Sequence, residues 1–178
     1  MGRRTWWVAV CAAAVLVGGG LIANSAAAAN SAPIPATCPP DPPTDPGYSG
    51  LLGSELKLVP FTPEHALLCR YTGMNGAGGS PAWSLAGEAR LNGGKAAQLA
   101  TSANAAAHPP PLGPVACPAD DGSSSDVYFW NLSHRIRVRF LTSGCATASN
   151  GGVLHPSVAQ SDIVRFLETL APGHRPLP

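Results

Sequence analysis

The chain has 178 residues with 11 Lys+Arg, 10 Asp+Glu and a formal net charge of +1, and charged residues make up only 12% of it. That balance excludes a global electrostatic pull towards nucleic acid or anionic lipid, so any electrostatic function must be local. Five cysteines and 19 prolines in a chain of this length point to export, cross-linking and a proline-rich segment.

Arg3 and Arg4 form a positive n-region, and the run from Trp6 to Ala23 is an apolar h-region. The stretch Ala26 to Ala29 offers A-x-A registers, so residues 1–29 are expected to be a signal peptide cut after Ala29. The alternative is an uncleaved anchor, since eighteen apolar residues just cross a bilayer. The protein is therefore expected to be secreted, and membrane-attached only if that segment is retained. Neither Cys11 nor Cys38 follows a small residue in the manner of a lipoprotein.

The stretch from Ser31 to Gly50 is dense in proline. Proline lacks an N–H and favours extended geometry, so residues 30–50 are expected to be a stalk, tied near its middle by Cys38. The secreted domain is then 51–175. His65 to Thr72 alternates as a strand with Leu67, Cys69 and Tyr71 on one face, and Gly73 to Gly79 is a glycine loop. Trp83 to Leu91 is a second strand, followed by Asn92 in an N-cap position and an alanine-rich helix from Gly93 to Ala106. The segments from Asp126 to Asn131 and His134 to Leu141 form a hairpin, and the stretch 146–152 gives a short strand with an Asn-Gly turn. Ser157 and Gln160 make a capping box for a last helix carrying Ile163, Phe166, Leu167 and Leu170. This order predicts an α+β fold: an antiparallel sheet of four to five strands with two helices on one face.

Cys38, Cys69, Cys117 and Cys145 remain after the signal, and their even number predicts two disulfides. Pairing Cys38 with Cys69 and Cys117 with Cys145 joins neighbouring segments without crossing loops. The second loop would stabilise the fold by about 3.6 kcal/mol in the chain-entropy model. Metal-ligand spacing does not accompany these cysteines, so no zinc or other cofactor is expected.

Parity carries the functional expectation. Ile136, Val138 and Phe140 point one way on their strand, and Arg135, Arg137 and Arg139 the other. With Val127 and Phe129 turned inward, Tyr128 and Trp130 join the arginines on a face that two helices leave open. The first reading of that patch is self-coverage, with arginine stems lying on aromatic rings. The second is a binding site in which Tyr128, Trp130, Arg135, Arg137 and Arg139 engage an anionic wall polymer, a lipid headgroup, a carbohydrate or a protein partner. Asp120, Asp121 and Gly122 fit an Asx-type turn; the rival reading is calcium held by Asp120, Asp121, Asp126 and the intervening serines, against which stand adjacent aspartates and Asn131 where an EF-hand glutamate belongs.

The stretch from Cys117 to Trp130, with its C-P-x-D-D-G turn, the strand after it, Gly144–Cys145 and Ser149–Gly151, resembles a pattern in uncharacterised exported proteins of high-GC Gram-positive bacteria. The resemblance covers the C-terminal half and implies export but no activity and no catalytic residue.

Hydrolase, phosphate-loop and dinucleotide motifs are missing, and Ser133 and His134, being adjacent, point to opposite faces of a strand. The expectation is a non-enzymatic envelope domain, with two alternatives: a module that reads a protein partner through Gly73 to Gly79, or a hydrolase assembled only in three dimensions.

Overall fold

The computed structural model describes residues 33–45, 51–74, 81–106, 119–145, 147–151, 154–155, 167 and 169–170. Five strands form an antiparallel sheet in the order β2-β1-β3-β4-β5, where β1 is His65–Tyr71, β2 Leu85–Asn92, β3 Ser124–Trp130, β4 Arg135–Leu141 and β5 Ala148–Ser149. The two-residue β6, Leu154–His155, extends the β5 edge. The helix α1, Gly94–Ala106, follows β2 directly.

The period-2 pattern of the strands builds two distinct faces. On one, Ala66, Leu68, Val127, Phe129, Ile136, Val138 and Phe140 join the main core. From α1, Ala96, Leu99, Ala100 and Ala103 recur at helical spacing and are buried in that core. Three of those four are alanines, whose small side chains allow a close approach to the sheet. Leu167 is also buried there, while most of the expected last helix, with Ser157, Gln160, Ile163 and Phe166, lies outside the described residues. The signal segment 1–29 lies outside them too.

Residues 51–60 complete this layer without forming a strand or helix. Leu58 and Val59 are buried, and two asparagines hold the segment's backbone. Asn104 of α1 makes a reciprocal pair with Val59: Val59 N–H donates to its Oδ1 at 2.9 Å and its Nδ2 donates to the Val59 carbonyl at 2.9 Å. Asn150, fully buried after β5, donates from Nδ2 to the carbonyls of Ser54 at 2.8 Å and Lys57 at 3.1 Å. Buried amides placed in this way answer backbone groups that an irregular segment leaves unpaired.

Asn92 does not cap α1 as expected. It ends β2, and its Oδ1 lies 2.8 Å from His65 Nδ1, while Gly93 turns the chain at φ +54°. Asn131 orders the hairpin connection instead of a glycine: its Oδ1 accepts the N–H groups of Ser133 at 3.0 Å and His134 at 2.8 Å.

Phe129 is fully buried in the middle strand. Phe129→Ala should destabilise the protein by about 3–5 kcal/mol in urea unfolding, because the cavity forms where sheet and helix meet. A loss below about 1 kcal/mol would place Phe129 outside the core.

Candidate functional site: a basic sheet face under a proline strap

The second face of the sheet carries the residues singled out by parity. Strand register sets them in rows. The first row runs Asn92, His65, Trp130, Arg135; the next, Arg90, Leu67, Tyr128, Arg137; the third, Glu88, Cys69, Asp126, Arg139. Each arginine of β4 thus has a cross-strand partner on β3, and Tyr128 and Trp130 stand beside arginines as the alternation predicts.

The face is not open. Residues 33–45 lie across its second and third rows as a strap and do not extend as a stalk. Cys38 is bonded to Cys69 with a Cα–Cα distance of 5.5 Å, as expected, so the strap is fixed to the middle of β1. Cys38, Leu67, Cys69, Tyr71 and Tyr128 form a second apolar cluster, with Ile34, Leu85 and Trp130 packed against it. The reason for this packing lies in what proline still offers. It donates no hydrogen bond, but its carbonyl accepts, and this face is rich in donors. The Tyr71 hydroxyl donates to the Pro39 carbonyl at 3.2 Å, the Leu85 N–H to that of Pro40 at 2.9 Å, and Arg139 Nη2 to that of Pro43. The Cys38 N–H donates to Glu88 Oε2 at 2.9 Å.

The three arginines therefore have different fates, which corrects the expectation that all stand in water. Arg135 is exposed. Arg139 is half-buried and makes a two-pronged pair with Asp126, Nε to Oδ1 at 2.8 Å and Nη2 to Oδ2 at 2.8 Å. Asp126 is completely buried, and its pairing with Arg139 is the role that sequence reasoning missed. Its signal was present, since it shares the parity of Tyr128 and Trp130 and falls opposite Arg139. The side-chain bond and charge of Asp126 raise the Arg139 pKa against the opposing effect of burial. Arg137 is 8% exposed, and the strap covers it. Its Nη1 donates to Asp45 Oδ2 at 3.1 Å and its Nη2 to Oδ1 at 3.0 Å, with a further bond from Nη2 to the Asp45 carbonyl. Arg137 Nε is buried and has no hydrogen-bond partner among the described residues.

Among the described residues no strap hydrogen bond reaches the first row, where Trp130 packs at the margin of the strap's apolar cluster. His65 and Trp130 stack there with ring centroids 5.4 Å apart and planes 27° apart, beside exposed Arg135. His134 stacks on Phe61 at 5.5 Å at the adjoining turn.

The Asp120–Gly122 turn closes on itself. Gly122 N–H donates to Asp120 Oδ1 at 2.8 Å, Ser123 N–H donates to Asp121 Oδ1 at 2.8 Å, and Ser143 Oγ donates to Asp120 Oδ1 at 2.6 Å. Gly122 sits at φ +75°, and a Cβ there would lie 2.3 Å from the Trp83 ring, so glycine is required twice over. Burial pushes the Asp121 carboxyl up, but hydrogen bonds from Ser123 and Ser143 hold it below its ordinary value. Among the described residues, no group of three or more His, Cys, Asp or Glu is placed to hold a metal ion. Among those residues, too, no helix is long and apolar enough to cross a membrane. The second expected bridge involves Cys117, which lies outside the described residues.

In comparisons with known proteins, no family model, no curated protein and no solved structure matches this chain.

Two predictions follow the chemistry of the covered face. Arg139→Ala leaves Asp126 buried without its cation and should cost about 3–5 kcal/mol in urea unfolding, whereas the double change Asp126→Leu with Arg139→Met should recover most of that loss. An Arg139→Ala protein as stable as the parent would contradict the buried pair. Burial, followed by the Asp126 charge, raises the Tyr71 and Tyr128 pKa values. A raised folded-state value means that the stability these phenols contribute is complete below about pH 10 and is lost as pH rises through the folded values. Phenolate absorbance from these two should therefore grow together with loss of near-ultraviolet circular dichroism. Gradual ionisation near pH 10 with the fold intact would contradict their burial.

Proposed function

We propose that this protein is an exported, non-enzymatic domain that binds an anionic or carbohydrate component of the cell envelope through the first row of its second sheet face. Trp130 and Arg135, backed by His65, make the contact; Tyr128, Arg137 and Arg139 lie behind them under the strap. The single observation that carries this reading is the His65–Trp130 stack beside an exposed guanidinium, on a row to which the described part of the strap makes no hydrogen bond. Aromatic rings offer flat apolar surface with a polar edge, and a guanidinium offers a fork of donors matched to carboxylate and phosphate.

Export rests on the signal-like N-terminus and on the disulfide between Cys38 and Cys69, a bond at home in oxidising compartments. The reading includes a second bridge between Cys117 and Cys145, supported by Cys145 being disulfide-bonded. A protein-binding alternative draws support from the other end of the molecule. There Met74 and Trp83 flank the glycine loop, 55% and 43% exposed, and Trp83 holds a left-handed backbone at φ 57° that bulky residues seldom adopt.

The two readings separate on purified cell wall. Replacing Trp130 with Ala and Arg135 with Ser should lower retention of the protein about tenfold or more, as expected when an anchoring aromatic and a charged donor are both lost. Trp83→Ala should leave retention unchanged. Retention that survives the first change and fails with the second would move the site to the loop end.

A further inference from the structure

The Arg137 guanidinium is more than nine-tenths buried, yet its Nε–H finds no acceptor. A buried polar donor is normally satisfied, and guanidinium donors are arranged as a fork that an oxyanion engages along an edge. Asp45 engages both terminal nitrogens, Nη1 and Nη2, through its carboxylate and its own carbonyl, and among the described residues only Nε is left without an acceptor. The Asp45 side chain is 63% exposed while its partner is 8% exposed, so the pair opens outward to solvent on the carboxylate side. Tyr128 lies directly across from Arg137 in the strand register, which brings a phenol to the same row.

The strap is held unevenly. Its first part is fixed by the Cys38–Cys69 bond and by the backbone pairing of Leu85 with Pro40. Its last part, residues 41–45, meets the face through the arginines, at Pro43 and Asp45. The ionic contacts to this last part are exchangeable, so it is where a competing anion would act.

We infer that Arg137 is the recognition group of an oxyanion site and that Asp45 is its tethered occupant, a competitor that the chain carries against phosphate-bearing ligands. The inference rests on the reading of this face as an anion-binding one. A phosphate group offers this guanidinium more acceptors than the carboxylate it would displace. It presents three oxygens at tetrahedral angles, enough to take the Nη2 and Nε edge and still accept from the Tyr128 hydroxyl. An intramolecular competitor acts at an effective concentration in the millimolar range, so its removal should register clearly.

The test follows the Arg137 Nε–H signal by NMR in the disulfide-intact full chain labelled with nitrogen-15 arginine, during titration with inorganic phosphate. Asp45→Asn removes the competing charge and should tighten phosphate binding about tenfold or more, with the Arg137 Nε–H signal moving. A second route keeps every charged group: Pro42→Gly with Pro43→Gly slackens the strap and should tighten binding in the same direction. Vesicles of phosphatidylglycerol, with phosphatidylcholine as control, separate a lipid phosphate from a free one. Binding by Asp45→Asn to the first vesicle alone would assign the site to lipid. Equal phosphate affinity in parent and both variants, or an Arg137 signal that never moves, overturns the inference. Wall retention through Trp130 and Arg135 is read separately. If it persists while phosphate does nothing, the inference falls and the wider reading stands. If phosphate binds as expected but wall retention is absent in every variant, the wider reading falls instead.

Discussion

A sheet with one helical layer has a second face whose polar groups must be answered by something other than a helix. In this protein that demand is acute, because the second face carries Arg137, Arg139, Tyr71, Tyr128 and the buried Asp126. The strap answers it. Its prolines are unsuited to a ladder, but their carbonyls accept from Tyr71, Leu85 and Arg139, and Asp45 supplies the counter-charge for Arg137. The Cys38–Cys69 bond turns what would be a dilute encounter into a local one.

From this follows the division of the face into a closed and an open part. Asp126 and Arg139 form a pair that needs no strap to be internally neutral, although Pro43 completes the donor set. Arg137 has no such strand-borne anion and depends on residue 45, 92 positions away in the chain. Arg135 has no ion pair among the described residues and is exposed. The three arginines of one strand therefore grade from structural to available, and the accessible end coincides with the His65–Trp130 stack.

Much of the main sheet was legible because period-2 alternation is a local signal. Ile136, Val138 and Phe140 against Arg135, Arg137 and Arg139 fixed the two faces, and Leu67, Cys69 and Tyr71 shared theirs as the pattern required. The Cys38–Cys69 pairing was legible from simple neighbourhood. The strap's course was not. Proline density reports extended geometry and a missing donor, but says nothing about where the carbonyls will find partners. For the same reason the irregular stretch around Leu58 and Val59 escaped notice: its order comes from Asn104 and Asn150, which act from distant positions. Asn92 misled because a residue that suits an N-cap also suits a strand end, and the imidazole of His65 decided the matter.

The account turns on the strap lying over the basic face rather than projecting from it. Peptide mapping of the non-reduced protein by mass spectrometry tests this most directly. The account predicts a linked peptide pair containing Cys38 and Cys69. Cys38 recovered as a free thiol, or joined to any other cysteine, would leave the strap without its anchor and contradict the arrangement.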